Sequence, residues 1–167
     1  MHTATSSDKI EISSEKQTEE LAERIQEKLK LGDIVFLYGE IGVGKTTFVK
    51  YLINFYQMKN NVKLSEVTSP TYNLLNEYSI NKIQINHYDL FRVKHPGELN
   101  ELNLFRDNSN IITLVEWPQI VSKKPQRLIE LTFEYGDDYI IYNIDNSEDM
   151  IIKNVCKQTY VKEDIKE

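Results

Sequence analysis

Cysteine is almost missing. The single Cys156 excludes an internal disulfide and suits a reducing compartment. No apolar run approaches the roughly 18 residues that a membrane span needs, so no membrane association is expected. The opening residues, Met1 to Lys9, lack the apolar stretch of a secretory signal, and the cytoplasm is the expected location. Positive charge is also short: the net charge is −6, with no basic stripe. Lys123–Lys124 is a close basic pair and reads as a solvated loop. A chain that grips DNA or tRNA by itself normally shows a basic surplus, so any link to nucleic acid runs through a partner. Arginine is scarce, with Arg24, Arg92, Arg106 and Arg127 the full set. This argues against a lid of arginines closing on a transferring phosphate. No internal repeat and no second domain stands out among the 167 residues. The expected organisation is a disordered stretch over residues 1–9, one domain over 10–150 and a charged tail over 151–167.

What is present is concentrated in residues 39–47, Gly-Glu-Ile-Gly-Val-Gly-Lys-Thr-Thr. Gly39, Gly44, Lys45 and Thr46 satisfy the G-x-x-x-x-G-K-[ST] phosphate-loop pattern. An apolar run, Asp33 to Tyr38, precedes it and reads as a buried parallel strand. Phe48, Leu52 and Phe55 follow at helical spacing, with Val49, Ile53 and Tyr56 alongside. Strand, glycine loop and helix are the parts the motif needs. Glycines let backbone N–H groups curl around a phosphate. The helix start adds free N–H groups and the positive dipole end. Along the loop, Glu40, Ile41, Gly42 and Val43 supply backbone for this cradle. Lys45 is the charge for the β- and γ-phosphates, the Thr46 hydroxyl a ligand for Mg²⁺, and Thr47 a further bond to the α-phosphate.

Such a loop needs a carboxylate across from Thr46. Two acids stand at strand ends: Glu116 after Ile111–Val115, and Asp89 after Ile83–Tyr88. In an open α/β sheet those positions border the ligand crevice. Glu116 is the candidate for the metal, and Asp89 for the metal or for positioning water. Ser69-Pro70-Thr71 reads either as a proline-stiffened turn feeding a strand or as a hydroxyl pair that senses a γ-phosphate. His87 reads as packed. Arg92 neutralises transition-state charge or pairs with a nearby acid. Trp117 is either core or a platform at the mouth of the site.

Elsewhere, Ile10–Ser13 alternates as a short strand would. Ser14 and Gln17 have capping-box spacing, with Leu21, Ile25 and Leu29 marking a helix to about Lys30 and Gly32 stopping it. Residues 57–66 read as a loop. Thr71–Tyr78 and Ile83–Leu90 read as strands around a turn near Ser79–Lys82, and Pro96–Phe105 as a helix. Arg127–Tyr135 and Tyr139–Ile144 read as a hairpin around Gly136-Asp137-Asp138, and the last dozen residues as fraying or loosely helical. The expected fold is α/β: three layers, with a mixed, mostly parallel central sheet flanked by helices, as in P-loop nucleotide triphosphatases.

The series Gly39–Thr47, Ser69-Pro70-Thr71-Tyr72, His87-Tyr88-Asp89-Leu90-Phe91-Arg92 and Glu116-Trp117-Pro118 resembles, in order and spacing over residues 10–145, the bacterial TsaE (YjeE) family. The resemblance implies a cytoplasmic, Mg²⁺-dependent ATPase of the tRNA threonylcarbamoyladenosine machinery. It acts with the partner proteins TsaB and TsaD, which transfer a threonylcarbamoyl group to an adenosine of tRNAs that read codons starting with A. It implies phosphate and Mg²⁺ contacts by Lys45 and Thr46, a metal-side role for Glu116, a second acid at Asp89 and a switch-like loop over Ser69–Thr71. It also implies a threonine near the nucleotide in the first helix, for which Thr18 is the match. Two positions depart from the family pattern. Gln119 stands where an acid is common, and Tyr139 to Tyr142 lacks the arginine often found in the last hairpin.

The runner-up is a small P-loop kinase acting on a small molecule or nucleotide, which the scarcity of arginine disfavours. A GTPase wants an Asn-Lys-x-Asp motif, and Asn81-Lys82-Ile83-Gln84 ends in Gln.

Overall fold

A computed structural model describes residues 10, 12–105, 109–125 and 128–135, and the backbone of 144–145, 150–151 and 159–166. The expected disordered N-terminus and the expected turn over 136–138, with most of its second strand, lie outside these residues.

The first helix, α1 (Glu15–Lys28), starts where the capping box predicts. The Ser14 hydroxyl accepts the Gln17 N–H at 3.2 Å, and the Gln17 side chain accepts the Ser14 N–H at 2.8 Å. Leu21, Ala22 and Ile25 form its buried face. Strand β1 (Ile34–Tyr38) then enters the centre of the sheet. Helix α2 (Lys45–Lys59) runs into the stretch expected to be a loop. Its last turn survives because Gln57 bonds to Ser65 twice, at 2.7 and 3.0 Å, and so ties down the polar segment that follows.

β2 (Leu75–Ile80) and β3 (Ile83–Asp89) form the expected hairpin, turning through Asn81 in the left-handed region. β2 starts later than the sequence suggests, because residues 71–74 close a turn in which the Leu74 N–H donates to the Pro70 carbonyl at 2.7 Å. The helix expected over Pro96–Phe105 is shorter. A 3₁₀ turn, Pro96–Glu98, leads into one turn of helix, α3 (Leu99–Leu102), which Asn103 ends at a φ of 49°. β4 (Ile111–Glu116) is buried along its whole length. A 3₁₀ turn at Pro118–Ile120 and β5 (Leu128–Tyr135) follow. β6 (Ile144–Asp145) and β7 (Met150–Ile151) make a small separate ladder.

The partner of β5 differs from the expected one. β8 (Thr159–Lys166) runs antiparallel to it, from Leu128 opposite Lys166 to Tyr135 opposite Thr159. The segment expected to fray or to be loosely helical is an edge strand. Its local composition is too charged to signal this, and the pairing supplies what local propensity does not.

The sheet order is β2-β3-β4-β1-β5-β8. The four central strands are parallel, and both edges are antiparallel. This is the mixed, mostly parallel α/β sheet that the sequence implies. Side chains alternate across it. Val35, Leu37, Ile112, Leu114, Ile129 and Leu131 pack under α1 and α2. Phe36, Tyr88, Val115 and Leu128 point to the other face, covered by Leu99, Leu102, Leu104 and Ile120. The parallel strands therefore end together, at one rim, under the start of α2. Among the described residues, no helix is long and apolar enough to cross a membrane.

Candidate functional site

The loop between β1 and α2 is shaped by glycines that no other residue replaces easily. Gly39 has a φ of +141°, and a Cβ there would lie 2.6 Å from the Phe133 carbonyl oxygen of β5. Gly44 caps α2 at a φ of 115°, and no side chain caps that helix. Its first N–H groups are thus left to an anion. Gly39→Ala is expected to cost about 1–3 kcal/mol of stability through backbone strain. A lowered Tm would register this, and an unchanged Tm would show that the loop does not need glycine there.

Lys45 opens α2 and folds back over the loop. Its ammonium donates to the carbonyls of Gly39 and, at 2.9 Å, Glu40, and it sits 4.3 Å from the centroid of the Trp117 ring. Burial lowers its pKa, while the Glu116, Asp89 and Glu40 carboxylates pull it back up. Beside it lies a cleft of about 370 Å³. The loop and helix contribute Ile41, Gly42, Gly44, Lys45, Thr46 and Thr47 to its lining. Across from them stand Ser69, Thr71, Asp89 and Glu116, with Phe91 and Trp117 completing the wall.

The acids face the loop because of strand register. Asp89 and Glu116 are paired neighbours at the ends of β3 and β4. The Thr46 hydroxyl donates to Glu116 Oε1 at 2.9 Å. Ser69 Oγ lies 2.5 Å from Asp89 Oδ2 and 3.2 Å from Glu116 Oε2, and Thr71 Oγ1 lies 3.1 Å from Asp89 Oδ2. A hydroxyl carries one proton, so Ser69 can satisfy only one of the two carboxylates. Two carboxylates, Asp89 and Glu116, face a single lysine, Lys45, across the cleft. An oxygen-only donor set with surplus negative charge fits Mg²⁺, which takes one or two carboxylates and draws its other ligands from phosphate and water. Among the described residues, no group of three or more His, Cys, Asp or Glu side chains is arranged as a metal cage.

The other residues named from sequence fall elsewhere. Thr18 is buried on α1 and does not line the cleft. Val43 is in the core, Glu40 is exposed, and Pro70 is buried. Arg92 is exposed, its guanidinium 4.7 Å from the centroid of the Tyr72 ring. Gln119 lies with Trp117 on a second cavity of about 540 Å³ beside β5. Trp117 itself, at a φ of 56°, packs with its ring centroid 4.8 Å from that of Phe91, the two planes inclined at 55°, and is half-buried at the cleft.

Sequence reasoning missed two contacts. Phe91 lines the cleft, two residues past Asp89. His87 is not merely packed: its Nε2 lies 3.2 Å from Glu116 Oε2. Strand parity carried the signal, since His87 and Asp89 share one face of β3.

Residues 12–143 match the family model described as Threonylcarbamoyl adenosine biosynthesis protein TsaE. The chain is 38% identical over 128 residues to the tRNA threonylcarbamoyladenosine biosynthesis protein TsaE of Rickettsia bellii, covering 76% of this chain and 86% of that one. It is 37% identical over 130 residues to the protein of the same name from Borreliella burgdorferi, covering 75% and 90%. A crystal structure of Bacillus subtilis YdiB superposes with a TM-score of 0.58 at 19% identity, over 92% of this chain and 80% of that one, and is similar in fold.

Proposed function

The chain belongs to the TsaE family, and on that premise we propose that it is a Mg²⁺-dependent ATPase that supports formation of threonylcarbamoyladenosine on tRNA. The observation that carries the reading is the meeting of Lys45, Thr46, Glu116, Asp89 and Ser69 on one cleft, from four separate parts of the chain.

In this reading the α2 N-terminus and the loop N–H groups hold the β-phosphate of ATP. Lys45 leaves the Gly39 and Glu40 carbonyls for the β- and γ-phosphates. Thr46 and Glu116 hold Mg²⁺, which supplies charge neutralisation to the phosphates when bound. Asp89, fixed by Ser69, Thr71 and the Phe91 N–H, orients the attacking water. Trp117 and Phe91 exclude bulk water from the mouth. The partners are TsaB and TsaD, with tRNA reached only through them, in the cytoplasm. The test is phosphate release by the purified chain across a nucleotide panel, with and without Mg²⁺ and the partners. Slow release that needs both ATP and Mg²⁺ is expected, and a chain that binds no nucleotide overturns the reading.

Ser69 and Thr71 link the γ-phosphate side of the cleft to the exposed Tyr72. Ser69→Ala and Thr71→Ala are therefore expected to reduce partner-stimulated turnover more than ADP affinity. Titrating TsaB–TsaD into each variant while following ATPase rate and nucleotide Kd checks this. Equal losses in both would remove the relay from the loop.

A further inference from the structure

We propose that His87 is a positioning residue that holds Glu116 in its metal-facing orientation; the inference rests on the metal-side role given to Glu116 above. His87 is fully buried on β3. Its ring makes one polar contact among the described residues, from Nε2 to Glu116 Oε2 at 3.2 Å, while the buried Nδ1 has no hydrogen-bond partner among them. An apolar side chain would fill the same space without burying an unpaired nitrogen, so packing alone does not account for an imidazole there.

The hydrogen-bond inventory of Glu116 shows what the ring does. Oε1 accepts the Thr46 hydroxyl at 2.9 Å. Oε2 faces Ser69 Oγ at 3.2 Å, but the single Ser69 proton has a nearer acceptor in Asp89 Oδ2 at 2.5 Å. The Nε2–H of His87 is the donor left for Oε2. It pins one carboxylate oxygen from behind and leaves the other at Thr46. Without it, the carboxylate is free to rotate about its last torsion and trade Oε1 for Oε2. Partners that orient a metal-ligating carboxylate in this way are typically worth about 10–100-fold in metal affinity or activity.

The experiment uses the full chain with ADP and Mn²⁺ as the spin-active probe, reading bound metal by electron paramagnetic resonance beside ATP turnover and Tm. His87→Leu is expected to weaken Mn²⁺ binding by about 10–100-fold, with metal-free ADP affinity retained. His87→Gln, whose amide N–H reaches the place of Nε2, is expected to restore most of the binding. Should His87→Leu fail to fold, His87→Asn serves, because its amide stops short of Glu116 and is expected to behave as the loss variant. Wild-type Mn²⁺ affinity in the Leu or Asn variant, alongside loss in Glu116→Gln, overturns the role of His87 and leaves the site intact. A wild-type chain with no nucleotide-dependent Mn²⁺ binding removes the metal-site reading itself, and this proposal with it.

Discussion

Lys45→Ala is expected to lower ATP turnover by about a hundredfold or more, the scale of losing one preorganised charge donor at developing negative charge. Lys45 is the one cation among the described residues that line the cleft, and it faces Glu116 and Asp89 there. Deleting it leaves two carboxylates and an incoming triphosphate with no protein cation between them. The chain should still fold, with a lowered Tm, because Glu116 and Asp89 lose the cation that faces them. The ammonium itself bonds to loop carbonyls and a ring face rather than to the core. ADP affinity should fall along with turnover, because the lysine serves both states. Phosphate release, calorimetric ADP binding and a thermal melt measured together decide the matter. A well-folded Lys45→Ala protein that hydrolyses ATP at the normal rate would exclude this cleft as the nucleotide site.

Glu116→Gln is expected to raise the Mg²⁺ concentration needed for half-maximal turnover by at least about 10–100-fold, while metal-free ADP binding stays close to wild type. The amide keeps the side-chain volume, and its oxygen can still accept the Thr46 hydroxyl. It removes the charge, and it turns an N–H₂ toward His87 Nε2, which accepts it once the ring carries its proton on Nδ1. Stability should be equal or higher, since one of two adjacent buried carboxylates is neutralised. A gain in Tm together with a loss of metal dependence would mark Glu116 as kept for function at some cost to the fold. Turnover with an unchanged Mg²⁺ requirement would move the metal role to Asp89.

How much of this could be read in advance depended on sequence distance. The phosphate loop was legible because its parts are contiguous: strand, glycines, lysine and helix obey local rules over a short span. The capping box at Ser14 was legible for the same reason. Glu116 and Asp89 could be named from their places at strand ends, yet their adjacency needed the register between β3 and β4. His87 fell out of view at that step, because a histidine's use depends on what the neighbouring strand brings within reach. The helix after Pro96 was overestimated, since apolar spacing at Leu99 and Leu102 did not reveal that Asn103 would turn left-handed. The strand at Thr159–Lys166 was unreadable from its own residues and exists through its pairing with β5.

The placement of β1 also sets a timetable for synthesis. It is the first strand of the sheet to leave the ribosome and the one that ends at its centre, yet Ile34 pairs with Thr113 and Val35 with Ile129. At about 5–20 residues per second, its first neighbour follows roughly 4–16 s later. During that interval Val35, Phe36 and Leu37, which are fully enclosed in the finished protein, have no sheet to enter. The phosphate loop hangs from the end of this waiting strand, so it can be anchored to the sheet only after most of the chain has been made.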